Sequence, residues 1–520
     1  MTEIELKLAV SADPAARAQT LDALKDAMAR ARAQTLDSWY FDTADEALRD
    51  GGFTLRVRRA GKQLLQTIKQ DSGSVSQRGE WERPIDGKAP TRRQGASAAC
   101  VDFAMISETP LAELAEAARP DLRQAFHISV KRAFLSLSEE NAQIEAVLDS
   151  GEITVPGPTA AEAIFEVELE LKSGGKSAVY TLARRLAARA PLSISLISKA
   201  ERGYRLAAGA SMRPAKGSQP RLGDAMTAGA AFEAICNVCL HDFMLNARLL
   251  TARPAPAHPV EAIHQGRVAL RRLRAALALF QPIAGDEYFA AANDELKRMA
   301  RLFGAARDRD VMHEAEIKAA RGELTGEARE FAAWRDSKRL ALRAALIEAI
   351  EAKPWRIFLI DFCEWLGSGG WRAKKAERAD TAKFIRKRLA KRRKALLQQG
   401  ENLEGLDPEA RHKVRIDAKK LRYMAEFFID CPEVADKKSL GALLKRLETI
   451  QWSLGEMHDA ETRLDADEAD LRLWRQETGR VESGELALAD APLAAPAEDG
   501  QKWLGEALRA FAKLAKDDPF

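Results

Sequence analysis

The sequence predicts an α+β fold: an N-terminal antiparallel β unit with flanking helices, followed by an all-α module of two duplicated helical bundles. Three observations predict it. Alternation of apolar and polar residues with period two is confined to roughly the first 205 residues. From about residue 224 onward apolar residues recur instead at i, i+3, i+4 and i+7, the stripe of an amphipathic helix. Within that second half, His264-Gln-Gly-Arg-Val-Ala-Leu-Arg-Arg-Leu-Arg274 returns as His412-Lys-Val-Arg-Ile-Asp-Ala-Lys-Lys-Leu-Arg422, 148 positions later.

In the first half the alternating runs are Glu3 to Leu8, Thr54 to Arg58, Leu64 to Lys69, Ile144 to Leu148 and Phe165 to Lys172. Asp50-Gly51-Gly52, Asp86-Gly87 and Pro156-Gly157-Pro158 punctuate them as turns. Helical stretches are expected near residues 13–32, 109–124 and 176–190. A Gly/Pro/Ser/Lys stretch over 207–221 reads as a linker. The expected domains are therefore 1–206 and 222–510, the second broken at Pro254–Pro259, Gly367–Gly370 and Pro408. A second repeated pair follows each basic motif: Gly304-Ala-Ala-Arg307-Asp308 and Gly455-Glu-Met-His458-Asp459. Duplication of one helical unit is the natural reading.

Composition bounds the function. With 520 residues, 46 % hydrophobic and 30 % charged, the chain is ordinary globular material. Lys+Arg minus Asp+Glu is 81 − 77 = +4, which excludes a uniformly basic nucleic-acid coat while leaving room for a local basic face. Five scattered cysteines argue against a disulfide scaffold and for a reduced compartment. The opening Met1-Thr-Glu-Ile-Glu5 has neither a basic n-region nor an apolar h-region, and no uninterrupted apolar stretch suggests a membrane span. The expectation is a cytoplasmic protein with no membrane partner.

Alternate residues of a strand share a face. Glu3, Glu5 and Lys7 point one way, as do Glu166, Glu168 and Glu170 on another strand and Arg56 and Arg58 on a third. On a half-exposed sheet these form the wet side. Inside a barrel they are costly unless each charge meets a partner. A hard divalent ion such as Mg²⁺ or Mn²⁺ suits carboxylates, and phosphate suits Lys and Arg, so the joint reading is phosphoryl transfer to water at a metal–phosphate site.

Glu3-Ile-Glu-Leu-Lys7 is similar to the signature of the CYTH family, the triphosphate tunnel metalloenzymes. Tyr40-Phe-Asp-Thr43, Leu55-Arg-Val-Arg58, Lys69, Arg78-Gly-Glu-Trp-Glu82, Lys131-Arg132, Glu145 to Asp149, Glu166-Val-Glu-Leu-Glu170 and Ser198-Lys-Ala-Glu-Arg-Gly-Tyr204 follow in the family's order. The resemblance implies an eight-stranded antiparallel tunnel holding a linear triphosphate. It implies Glu3, Glu5, Glu168 and Glu170 as metal ligands, with Asp149 a further candidate. It implies Lys7, Arg56, Arg58, Lys69, Arg132, Lys199 and Arg202 as phosphate ligands. Lys69 carries an added electrostatic or proton-transfer role, and that of Glu166 stays open. The family spans inorganic, thiamine and RNA triphosphatases and a class of adenylate cyclases, and fold does not choose among them.

On a helix, His264, Arg267, Arg271 and Arg272 form one column, and His412, Arg415, Lys419 and Lys420 another. Such a column is either a solvated face, a set of pairs with Asp308 and Asp459, or a polyanion groove. Aromatic content of 6 % and the lack of a stacking motif do not favour nucleic acid. The repeated motifs resemble the CHAD domain, which is associated with inorganic polyphosphate. The resemblance implies His264, Arg267, Arg271, Arg272, Arg274, His412, Arg415, Lys419, Lys420 and Arg422 as polyphosphate-binding residues, and with them association with polyphosphate granules. Cys236-Asn-Val-Cys239-Leu-His241 reads as helix packing rather than a metal or haem site, and Trp355, Trp365, Trp371 and Trp452 as core. The expected activity is metal-dependent hydrolysis of inorganic triphosphate to pyrophosphate and phosphate. Adenylate cyclase and a non-catalytic polyphosphate adaptor are the alternatives.

Overall fold

The computed structural model describes residues 4–10, 13–70, 79–86, 98–139, 141–157, 161–210, 213–223, 226–252, 258–319, 326–479, 497–516 and 519–520. Glu3, Arg78, Pro158 and the 480–496 stretch of the expected helical domain lie outside them. The chain forms two compact units. One comprises Met1–Gly217, Leu240–Gly266 and Ala349–Gly369; the other comprises Ser218–Cys239, Arg267–Glu348 and Gly370–Phe520.

The first unit is built on an antiparallel sheet of nine strands: β1 Glu5–Val10, β2 Arg32–Asp42, β3 Phe53–Ala60, β4 Gln63–Gln70, β5 Gly79–Ile85, β6 Arg123–Glu139, β7 Ala142–Thr154, β8 Ala161–Ser173 and β9 Leu192–Ile194. Their order is β5-β4-β3-β2-β6-β7-β8-β1-β9. The ninth strand exceeds the expected eight. It covers three residues laid against Leu8–Val10, too short to carry a period-two signal. The β3–β4 hairpin turns at Gly61, whose φ of 64° is the left-handed region a glycine enters freely.

Helices flank the sheet: α1 Pro14–Met28, α2 Ala47–Asp50, α3 Phe103–Ile106, α4 Ala112–Ala118, α5 Lys176–Arg189 and α6 Lys199–Ala207. The sequence expectation over 13–32 overruns into β2, and that over 109–124 overruns past the turn at Pro120. One sheet face is apolar: Trp39, Phe41, Leu55, Val57, Leu64 and Ile68 pack against Ile106, Leu111 and Ala115 of the α3–α4 segment. With that face sealed, the opposite face carries the charges.

The remaining helices are α7 Ala228–Leu250, α8 Pro259–Ala284, α9 Glu287–Ala319, α10 Gly326–Glu351, α11 Lys353–Ser368, α12 Thr381–Gln399, α13 Pro408–Glu426, α14 Lys437–Thr478 and α15 Ala497–Lys516. Among the described residues α7 is long and apolar enough to cross a membrane, yet 72 % of that stretch is buried in the protein. Cys236 and Cys239 are fully buried in it, in agreement with a packing role. Trp355, Trp365 and Trp371 are core, but Trp452 is half exposed, contrary to expectation. The inward stripe of α14 runs through Leu447, Ile450 and Leu454, and Trp452 lies on the other side of the helix.

Candidate functional site: a charged strand face and a basic helical cluster

Cross-strand partners in an antiparallel ladder project to the same face. Glu5 pairs with Glu170 and Lys7 with Glu168 between β1 and β8, and Glu145 and Asp149 on β7 pair with Glu170 and Glu166. Asp149 is also opposite Arg132 on β6. Through Gln34, Ser38 and Tyr40 on β2 the same face continues to Arg58 and Arg56 on β3, then to Thr67 and Lys69 on β4, and to Glu82 and Glu80 on β5. One face thus collects the described charged strand residues singled out from the sequence. The sheet curls far enough that Lys69 on β4 acts electrostatically on Glu5 on β1, although five strands lie between them in the sheet order.

Carboxylates concentrate at one side. Asp149, Glu166 and Glu168 each offer an oxygen within 4.8 Å of the others. Asp149 is fully buried, and its two oxygens take a bidentate grip from Arg132 at 2.7 and 2.6 Å. Arg132 also reaches Glu168 at 2.7 Å. Lys199, from the first turn of α6, places its ammonium 2.7 Å from Asp149, 2.6 Å from Glu166 and 2.8 Å from Glu168. The helix starts there because Ser198 Oγ accepts the Glu201 backbone N–H at 3.0 Å, a cap written as Ser-x-x-Glu.

Electrostatics follow from this crowding. Burial lifts the Glu5 carboxyl above its ordinary range; Lys7 and Lys69 oppose the rise, while Glu168, which shares a hydrogen bond with it, adds to it. Burial also works against the Glu168 anion, but Lys199, Lys7 and Arg132 hold that carboxyl well below the usual range. Burial disfavours the Lys199 ammonium too, and Glu168, Glu166 and Asp149 outweigh it to keep the group firmly protonated. The donor set is all oxygen, and carboxylates this close together fit a hard divalent cation.

The opposite side is cationic. Arg56 donates to Thr67 Oγ1 at 2.9 Å and lies 3.4 Å from Glu82; Lys69 is 3.1 Å from Glu80. Arg58 has no carboxylate at ion-pair distance among the described residues. Burial, then the neighbouring Arg56, push its pKa down to about 10. Tyr40 is buried, which alone would raise its phenol, yet Arg56 and Arg58 draw it below its ordinary value. Two neighbouring guanidiniums with one carboxylate between them have the chemistry to accept an anion.

In the second unit, the two copies of the helical motif repeat one arrangement. Arg267 on α8 pairs with Asp308 on α9 at 2.8 Å and lies over Gly304. Arg415 on α13 lies 3.8 Å from Asp459 on α14 and over Gly455, where a β-carbon would come within 3.2 Å of its Nε. Beside them Lys419 has no carboxylate partner among the described residues. Burial, then Arg271, Arg415, Arg267 and Arg422, push its pKa down to about 7. His412 and His458 stack with ring centroids 4.0 Å apart. Burial, then His458 and Arg415, lower the His412 pKa.

Two family models match the chain: CYTH over residues 1–204 and CHAD over residues 239–466. The protein carries a CYTH domain followed by a CHAD domain. An uncharacterized protein found in two strains of Mycobacterium tuberculosis is 27 % identical over 409 residues, 75 % of each chain. The inorganic triphosphatase of Haemophilus influenzae is 28 % identical over 210 residues, 40 % of this chain and 55 % of that one. Among solved structures, the CHAD domain of the plant Ricinus communis is 25 % identical, covering 59 % of this chain and 99 % of that one at a TM-score of 0.47. HpAC1 of Hippeastrum, described as having a dominant triphosphatase activity, is 19 % identical over 39 % of this chain and 95 % of that one, with a TM-score of 0.30.

In the CYTH domain, then, Glu5, Lys7, Asp149, Glu168, Glu170, Arg56, Arg58, Lys69 and Arg132 share one sheet face and Lys199 reaches it from α6. Arg202 instead bonds Glu162 at 2.6 Å, Glu166 at 3.1 Å and the Ala163 carbonyl at 2.6 Å. Glu166 is a member of the carboxylate trio, a position the sequence left without a role. In the CHAD domain, Arg267, Arg271, Arg415, Lys419 and Arg422 gather. Arg272 turns inward: it is buried, donates to the Ser218 carbonyl at 2.6 Å and stacks on Phe427. Lys420 pairs with Asp417 at 3.0 Å on the exposed surface, and Arg274 lies by Arg301 rather than with the cluster. His264 falls in the part of α8 that packs with the first unit.

Proposed function

We propose that the CYTH domain hydrolyses inorganic triphosphate to pyrophosphate and phosphate with Mg²⁺ or Mn²⁺, and that the CHAD domain binds inorganic polyphosphate. The observation that carries the first half is a single strand face with crowded carboxylates on β1, β7 and β8 set against the cations Arg56, Arg58 and Lys69 on β3 and β4. The Haemophilus influenzae relative, named an inorganic triphosphatase, supports the same reaction for this domain.

Glu5, Glu168 and Glu170, with Asp149, would hold the ion together with Glu3. When bound it offsets phosphate charge and activates water for in-line attack. The chain's own groups do the rest. Arg56, Arg58, Lys7, Lys69 and Arg132 take phosphate oxygens through charge-assisted hydrogen bonds. Thr67 and Tyr40 fix Arg56 in place. Lys69, close enough to act on Glu5, stabilises charge developing on the leaving pyrophosphate. In the CHAD domain the unpaired Lys419 amid four arginines supports a bare phosphate chain, which needs cations and no stacking surface.

The test is phosphate release by the full-length protein from triphosphate, longer polyphosphates, thiamine triphosphate and ATP, with Mg²⁺, with Mn²⁺ and with chelator. Metal-dependent release, fastest on triphosphate, is expected. Cyclic product from ATP would assign a cyclase instead, and no turnover of any substrate would leave a binding adaptor.

A further inference from the structure

Helix α6 carries Lys199 into the carboxylate trio, so whatever holds α6 sets the geometry of that trio. Two side chains from α7 bear on it, His241 directly and Arg248 through Glu162 on β8. Arg248 lies 2.5 Å from Glu162 Oε1, the same oxygen that accepts Arg202 Nε at 2.6 Å. Arg202 is buried, and its remaining contacts are Glu166 and the Ala163 carbonyl. Glu166, also buried, meets Lys199. Charges therefore alternate without a gap from Arg248 through Glu162, Arg202, Glu166 and Lys199 to Asp149 and Glu168. On the other side of α6, His241 Nε2 lies 2.6 Å from Glu201 Oε2. Burial disfavours the His241 cation, but bonding to Asp242 and Glu201 raises its pKa to about 9, so this tether is an ion pair at neutral pH. Both α7 residues fall inside the CHAD match, yet they pack within the first compact unit.

We infer that Arg248 and His241 are positioning residues for the triphosphate site: the CHAD segment lends α7 to lock α6, and with it Lys199, onto the Asp149–Glu166–Glu168 trio. The logic is a competition for Arg202. With Arg248 present, Glu162 is shared, and Arg202 retains its longer bond to Glu166. Without Arg248, Glu162 has one cation and draws Arg202 away, leaving Glu166 to draw Lys199 away from Asp149 and Glu168. Arg248 touches neither substrate nor reacting atoms, so its effect falls on how the phosphate is held.

This inference rests on the triphosphatase reading for its kinetic test but not for its chemical one. In full-length Arg248→Ala, an amine-acylating reagent followed by peptide mass spectrometry should label Lys199 faster than in the wild type. Arg248 is 43 % exposed, so the change is roughly two- to fivefold. The KM for triphosphate should rise by a similar factor with kcat retained, and Arg248→Lys should restore both. If wild-type protein turned over no triphosphate, the labelling result would still decide the positioning role. Unchanged Lys199 labelling in a folded Arg248→Ala protein would overturn the inference, as would equal labelling of Arg248→Ala and Arg248→Lys.

Discussion

Lys419 offers a pH test of the CHAD cluster. Its ammonium faces Arg267 and Arg271 from α8 and Arg415 and Arg422 from its own helix, with His412, His458, Asp308, Asp459 and the Tyr423 hydroxyl nearby. Its pKa in the free protein is about 7. A polyphosphate chain laid across the cluster neutralises the arginines and returns Lys419 towards its ordinary value, so binding takes up a proton. The sign is that affinity falls as pH rises through 7. With the bound-state pKa well above 8, the fraction of Lys419 already charged changes affinity by about tenfold between pH 6 and pH 8, or roughly 1.4 kcal/mol. The assay is polyphosphate binding by the full-length protein at fixed ionic strength, since salt alone weakens such contacts. Lys419→Arg, permanently charged, should flatten the profile over this range while preserving affinity at pH 6. His412 is also lowered, by burial, His458 and Arg415, and the Lys419→Arg profile separates its contribution from that of Lys419. A profile equally steep in Lys419→Arg would refute the reasoning, as would affinity rising with pH.

Two predictions concern the CYTH domain. Asp149→Asn removes the charge that three buried contacts use, two from Arg132 and one from Lys199, and should destabilise the domain by about 3–5 kcal/mol, read as an earlier urea transition. An unchanged midpoint would show the pair to be dispensable. Arg58→Ala removes an underneutralised cation, so it should not lower thermal stability, yet it should raise the KM for triphosphate by about tenfold or more through lost charge-assisted bonds. Unaltered KM would take Arg58 out of the substrate site.

Much of the sheet was legible because one face meets apolar helices and the other carries charge. The runs at β1, β3, β4, β7 and β8 alternate for that reason. β6 alternates over Phe126-His-Ile128-Ser-Val130-Lys131, but the side that carries Phe126, Ile128 and Val130 also carries Arg132, because it turns from a core into a charged lining along the strand. Arg132 was reached only through the resemblance. The Ser198-Lys-Ala-Glu201 cap was readable as a helix start, and with it α6, but the motif was read only for Lys199 and Arg202 as phosphate ligands. Arg272 shows the limit of counting along a helix. It shares the buried stripe with Ala269, Leu273 and Ala276, so the register that put it beside Arg271 also put it at the edge of the core. The Glu162–Arg248 pair spans 86 residues and no spacing rule points to it.

The central claim is that the carboxylate face holds the divalent ion on which triphosphate hydrolysis depends. Its most direct test sets full-length wild type beside Glu5→Gln, in a metal titration of phosphate release from inorganic triphosphate with Mn²⁺ binding measured on the same samples. The substitution keeps the shape of the side chain but removes its capacity to act as an anionic ligand. Loss of roughly a thousandfold in turnover at saturating triphosphate, with weakened Mn²⁺ binding and an unchanged melting transition, is the predicted result. Full metal-dependent activity in Glu5→Gln would contradict it.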